Sequence, residues 1–389
     1  MIYLDDAATS KVKSSVINAI IHCLDFEFGN PSSATSISCK PNEIIEHTRQ
    51  SIADYIGAKS HEIYFTSGGS ESNCWAIQGY VAYMNRLGYV ASILASTIEH
   101  HSINACLENL DHRNALFGYT PVDESGRIDL LELEDRLRDT DDRIPHLVTI
   151  QLANNEIGTV QDMKAISEIV HRYGGVLHTD AVQAFGKMPI DVEEMGIDML
   201  SASGHKFGCP KGIGFLYIRD GVNISPLIYG TQQRKMRGGT ENVPYIAGMH
   251  KAVTLLHRDP QYDLRMSVLR NNCIARLRKM GFTINGNQDY TLPNIISATL
   301  HEDVMADNLV YMMDTCGVIL SAGAACTSSS IEPSHVLKAI GMSDLDAYRT
   351  IRVSLPYDIT MDEIDTAMDL MEKQIAILVS EKTDRSDVF

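Results

Sequence analysis

The sequence predicts an α/β protein: a mainly parallel sheet with helices on both faces, plus a smaller α/β C-terminal domain. Three observations carry this. Strand-like and helix-like segments alternate through most of the first two-thirds, the pattern of repeated strand–helix–strand crossovers. The strand-like runs, such as 146–152 and 197–201, are apolar at neighbouring positions, as strands covered on both faces are. At 389 residues the chain exceeds what one core usually organises. The expected division is a large domain over 12–257, and a small domain built from 1–11 and 258–389.

Taken in order, residues 4–9 form a short segment that enters a helix with apolar positions Val12, Val16, Ile17, Ile20 and Ile21. A loop follows at Asn30-Pro31-Ser32-Ser33. Ile44, Ile45, Thr48, Ile52, Tyr55 and Ile56 keep a helical period that Gly57 ends. After a strand at 62–66, Ser67-Gly68-Gly69-Ser70-Glu71-Ser72 opens a helix to about Asn85, with Ser70 as a candidate N-cap. Further strands are predicted at 91–96, 115–119, 146–152, 176–179, 199–201 and 214–219, with helices at 130–138 and 162–173 among them. Beyond about His257 a long helix at 264–280, strands at 295–300 and 351–355, and a terminal helix at 364–378 make the smaller unit.

Composition excludes some functions. A net charge of −17 argues against gripping nucleic acid or an anionic membrane directly. No apolar run approaches membrane-spanning length, and the start lacks a basic segment followed by an apolar one, so a cytoplasmic protein is expected. Eight scattered cysteines with no C-x-x-C pair suit reduced thiols rather than disulfides or a zinc site, and no metal is expected.

The unusual polar residues gather at predicted strand ends: Gly69 and Ser70, Glu99 and His100, Asn154-Asn155-Glu156, Asp180 with Gln183, then Ser203, His205 and Lys206. In a parallel sheet those ends share one rim, where ligands bind. Each has a plainer explanation as a cap, turn or surface residue; together they match the needs of pyridoxal phosphate. Its phosphate takes amide and hydroxyl donors, here Gly69, Ser70, Ser203 and His205. Its aldehyde takes an amine, Lys206, and its ring nitrogen a carboxylate, Asp180. Gln183 and Asn155 suit the phenolic oxygen, and His100 suits stacking on the ring and moving protons.

At this point the stretches Tyr3-Leu4-Asp5-Asp6-Ala7-Ala8-Thr9, Asn30-Pro31-Ser32-Ser33, Phe65-Thr66-Ser67-Gly68-Gly69-Ser70-Glu71-Ser72-Asn73, Asn154-Asn155-Glu156-Ile157-Gly158, His178-Thr179-Asp180-Ala181-Val182-Gln183, Gly204-His205-Lys206 and Arg237-Gly238-Gly239-Thr240-Glu241-Asn242 resemble the cysteine desulfurases of the class V aminotransferase group. The resemblance implies a fold-type I homodimer with pyridoxal 5'-phosphate at the subunit interface. Thr240 would then reach the neighbouring subunit's phosphate, and Arg352, with Asn30 beside it, would hold the carboxylate of L-cysteine. The loop at about 320–333, Ser321-Ala322-Gly323-Ala324-Ala325-Cys326-Thr327-Ser328-Ser329-Ser330, is similar to that of the longer-loop subgroup. There the cysteine thiolate, here Cys326, attacks the substrate's sulfur, leaving L-alanine and a persulfide for a sulfur-acceptor protein. Relatives of this kind serve iron–sulfur cluster assembly, tRNA thiolation and DNA sulfur modification. Thr35, Ser38, Cys209, Gln233, Ala322 and Ala324 depart from the usual pattern, and none removes a group the mechanism needs. Two other readings fit the same residues: a related lyase or aminotransferase in which Cys326 is incidental, and a non-catalytic scaffold that binds a partner.

Overall fold

The computed structural model describes residues 1–139, 144–256, 261–302, 304–323 and 332–386. A seven-stranded sheet runs in the order Ile63–Thr66, Gly214–Ile218, Met199–Ser203, Val176–Asp180, His146–Thr149, Ala91–Ser96 and Ala115–Thr120. Gly214–Ile218 is antiparallel to both its neighbours; the ladders from Met199–Ser203 to Ala115–Thr120 are parallel. Every residue of Ala91–Ser96, His146–Thr149, Met199–Ser203 and Gly214–Ile218 is buried, as a sheet covered on both faces requires. The run predicted as strand at 146–152 leaves regular pairing at Thr149. Ile150 and Leu152 still donate to the carbonyls of His178 and Asp180 as the chain turns toward the rim.

Gln233 finishes one side of this sheet. Its amide accepts from the Phe65 N–H at 2.7 Å and donates to the Phe65 carbonyl at 2.7 Å, so one side chain completes the strand's exposed backbone pair. A glutamate at this position would accept the first bond and, when ionised, have nothing to donate to the second. The departure at 233 is therefore matched to its neighbour.

The second sheet is antiparallel, in the order Ser321–Ala322, Thr350–Ser354, Ile295–Leu300, Phe282–Ile284. Its core draws on Met266, Cys273 and Leu277 from helix Tyr262–Lys279, Leu309 and Met313 from Ala306–Thr315, and Ile364, Met368 and Met371 from Met361–Ser386. The last helix starts three residues earlier than the apolar period predicts. Thr360 and Glu363 exchange bonds there, the Thr360 N–H with Glu363 Oε2 at 3.0 Å and the Glu363 N–H with Thr360 Oγ1 at 3.3 Å, which satisfies two donors at the helix start. Ile2–Tyr3 pairs in parallel with Val318–Ile319, and Leu4 packs into this core while Ala7 packs into the other. We propose the boundaries 12–257, and 1–11 with 258–389, on this division of the cores.

The first helix, Ser14–Phe26, buries Val16 and Cys23 and packs Ile20 beside them, the i, i+4, i+7 row. Ile17 and Ile21, expected in the same apolar face, are about half exposed because they lie outside that row. The second helix, Cys39–Ile56, ends at Gly57 with φ +72°, the left-handed closing residue its sequence announces.

Candidate active site

The C-terminal ends of the parallel strands surround a cleft of about 230 Å³. Gly69, Ser70, His100, Asn155, Asp180, Gln183, Ser203, His205, Lys206 and Arg352 all line it. Two of the expected residues stand elsewhere among the described residues. Asn30 is exposed and its Oδ1 accepts from the Ser32 N–H at 2.9 Å; Thr240 is exposed on the turn after Arg237 and does not line the cleft. Cys326 lies outside the described residues.

Strand Met199–Ser203 delivers Lys206 through one tight turn, Gly204–Lys206. The turn is pinned from the N-terminal segment: the Ser10 N–H donates to the His205 carbonyl at 2.7 Å, and the Ser10 hydroxyl to the Lys206 carbonyl at 2.9 Å. The Lys206 ammonium donates to the carbonyls of Ala7 (2.6 Å) and Ala8 (2.9 Å). Burial, then the charges of Lys187 and Arg352, lower its pKa from 10.5 to about 8, with Asp180 and Asp5 opposing. About a tenth of this lysine is thus free amine at pH 7, a few hundredfold more than an ordinary lysine holds.

Asp180 ends the adjacent strand and is buried. Its Oδ1 accepts from the Val182 N–H at 2.8 Å and its Oδ2 from Asn73 Nδ2 at 2.7 Å, so both oxygens are held in place. Gln183 donates from Nε2 to the Ala7 carbonyl at 2.9 Å, while its buried Oε1 has no partner. The helix-start end of the cleft is built by glycine. Helix Gly69–Arg86 begins with Gly68 at the cap, so Ser70 sits in the first turn with its side chain exposed, not at the cap predicted for it. A Cβ on Gly69 would stand 2.6 Å from Val182 Cγ2 and 3.5 Å from Ser203 Cβ, so only glycine lets the turn close against the Asp180 and Ser203 ends. The first helical amides remain free to bind an anion. Glu71, the acid nearest them, faces Arg237 in two bonds of 2.9 and 3.1 Å; burial acts to raise its pKa, and Arg237 with the Ser67 N–H holds it lower overall.

His205 Nδ1 lies 3.2 Å from Thr9 Oγ1, and burial, with Lys206, Lys211 and Lys187 nearby, brings the ring's pKa down to about 4. On the small-sheet side, Arg352 donates to the Asn155 carbonyl at 3.0 Å, to Ser321 Oγ at 3.2 Å and to Asp5 Oδ1 at 2.9 Å. One guanidinium therefore joins both sheets to the N-terminal segment. Fully buried Glu99 lies under the rim, where its Oε1 accepts from the Gln151 N–H at 3.0 Å; burial, with Asp180 adding to it, pushes its pKa up to about 8.

This donor set fits pyridoxal phosphate. An amine, a fixed carboxylate, a glycine-built helix start with hydroxyls at Ser70 and Ser203, and an unpartnered amide oxygen line one cleft. Sequence reasoning missed Asn73 and Asp5 as contributors. Asn73 stands one helical turn after Ser70, and that i+3 spacing is the signal that puts it on the rim side.

The aminotransferase class V family model matches residues 2–366. The chain is 41% identical to the cysteine desulfurase IscS of Methanosarcina thermophila over 373 residues, covering 95% of this chain and 91% of that one. Among solved structures, the NifS-like protein from Rickettsia africae superposes with a TM-score of 0.86 at 31% identity, covering 97% of this chain and 99% of that one. SspA in complex with cysteine superposes with a TM-score of 0.79 at 35% identity, covering 92% and 99%.

Proposed function

The chain belongs to the class V aminotransferase family and, within it, to the cysteine desulfurases; on that premise we propose that it converts L-cysteine to L-alanine, with Lys206 as the cofactor-holding amine and Cys326 as the sulfur acceptor. The observation that carries this is the convergence of Lys206, Asp180 and Arg352 on one cleft beside a glycine-built anion site. A solved relative, SspA, holds cysteine.

Pyridoxal 5'-phosphate, when bound, supplies an aldehyde to which amines add and a ring that accepts electrons from the substrate's α-carbon. Gly69, Ser70, Ser203, His205 and, from the neighbouring subunit of a homodimer, Thr240 would hold its phosphate. Asp180 would pair with its ring nitrogen, and Gln183 and Asn155 would serve its phenolic oxygen. The lowered pKa of Lys206 leaves its amine free to add to an aldehyde, to release it, and to take a proton from a substrate carbon. Arg352 offers a planar fork to the substrate carboxylate, exchanging its bond with Asp5 for the new partner.

The sulfur step balances between two thiols. The carbon–sulfur bond of L-cysteine breaks, a sulfur–sulfur bond to Cys326 forms, and L-cysteine plus thiol become L-alanine plus persulfide. A sulfur-acceptor protein then takes the outer sulfur. The seven described cysteines are unpaired, which supports a reducing, cytoplasmic setting. No described helix is long and apolar enough to cross a membrane.

Single turnover with L-[³⁵S]cysteine tests the proposal. One alanine and one dithiothreitol-labile ³⁵S on the Cys326 peptide are expected, with both lost in Cys326→Ala. Alanine formed by Cys326→Ala at the parent rate contradicts the assignment.

A further inference from the structure

The ring of His100 is held by a hydrogen-bond chain that runs in one direction. It begins at Asp180, whose carboxylate accepts only. Asn73 Nδ2 donates to Asp180 Oδ2 at 2.7 Å and to Ser102 Oγ at 3.0 Å, so its amide hydrogens point both ways. Ser102 Oγ, accepting from Asn73, stands 2.9 Å from His100 Nδ1 and has its own hydrogen to give there. The same Nδ1 accepts from the Ser102 backbone N–H at 3.1 Å, capping helix His101–Glu108. That second donor is backbone and cannot reverse. Two donors converge on Nδ1, which leaves the proton of the neutral ring on Nε2.

We propose that Asn73 and Ser102 are positioning residues that fix His100 as the neutral Nε2–H tautomer, so that His100 gives a hydrogen bond in the cleft and does not act as the base. Taking a proton at Nε2 is closed because a proton is already there. Taking one at Nδ1 sets it against the Ser102 N–H and hydroxyl. The surroundings act the same way on balance: burial, Lys206, His101 and His335 disfavour the cation, and Asp180 alone among these neighbours favours it. Removal of the substrate's α-proton then falls to Lys206. This replaces the expectation that His100 moves protons, and it rests on reading the cleft as the desulfurase site.

The tautomer is read directly from imidazole ¹⁵N shifts of the ¹⁵N-histidine-labelled holoenzyme, with the His100 signals identified by their loss in His100→Gln. The expected result is an unprotonated Nδ1 and a protonated Nε2 at pH 7. Ser102→Ala removes one donor to the neutral ring and raises the His100 pKa by about one unit; Asn73→Ala frees the hydroxyl to turn and gives a smaller rise. Ser102→Thr, which keeps the hydroxyl, restores the parent value. A proton on Nδ1, an imidazolium at pH 7, or an unmoved pKa in Ser102→Ala overturns the proposal. If Ser102→Ala does not fold, the parent tautomer and the Ser102→Thr titration still decide it. Cofactor attachment, followed separately by borohydride labelling, shows whether the reading of the cleft itself has failed.

Discussion

Lys187 and Lys206 are two poorly exposed lysines served by one short N-terminal segment, and they receive opposite treatment. Asp6 gives Lys187 a carboxylate at 3.1 Å, with both side chains about 5% exposed. The next two residues, Ala7 and Ala8, give Lys206 only carbonyls. A carboxylate supplies a full opposite charge and holds an ammonium in place, whereas carbonyl dipoles bind it and leave the charge uncancelled. Lys187 in turn repels Lys206 and helps depress its pKa. Three neighbouring residues thus separate a structural cation from a reactive amine.

The sharpest way to break this contrast is Lys206→Arg, which keeps the charge and loses the nucleophile: alanine release is expected to fall at least about 10³-fold. Lys187→Arg, which keeps the charge beside Asp6, is expected to retain activity within a few-fold, as an activity assay of both variants will show. Breaking the pair itself is a matter of stability. Asp6→Ala leaves Lys187 buried without a counter-charge and should cost roughly 3–5 kcal/mol in urea unfolding, much of it recovered when Lys187→Met is added. A loss under about 1 kcal/mol in Asp6→Ala alone would mean that Lys187 is not held by the pair.

Next comes Arg352, the arginine proposed for the substrate carboxylate. Arg352→Lys replaces a fork by a point charge and should raise KM for L-cysteine roughly 10- to 100-fold while kcat changes less; an equal fall in kcat at unchanged KM argues against a carboxylate role. The pH response follows from Lys206. Addition of the cofactor aldehyde to apoenzyme should be half-maximal near pH 8, and Lys187→Met, by removing a repelling charge, should move that midpoint upward. The sign for stability follows too: between pH 8 and 10.5 the unfolded lysine keeps a proton that the folded one has shed, so the apoprotein gains stability across that window. The smallest effect expected is Thr240→Ala, which on the proposed reading takes one hydrogen-bond donor from the neighbouring subunit's phosphate and should weaken cofactor binding by about 1 kcal/mol, read by equilibrium dialysis.

Much of this was legible in the sequence because repeated strand–helix units force strand ends onto one rim. Knowing that Lys206, Asp180 and Gly69 follow apolar runs was enough to bring them together. Arg352 needed the resemblance, since nothing local marks one arginine in a small-sheet strand. Partners set by distant packing were not visible: Asp5 meets Arg352 across 347 positions, and Asn73 meets Ser102 across 29. Two-residue strands such as Ile2–Tyr3 and Ser321–Ala322 carry no period to read. Ile17 and Ile21 show the opposite failure, apolar residues whose place on the helix, not their type, leaves them outside the core.

The contrast between the two lysines is tested most directly by reducing the holoenzyme with borohydride and mapping the pyridoxyl group. One label is expected, on the peptide carrying Lys206. A label on Lys187, or none on Lys206, contradicts it.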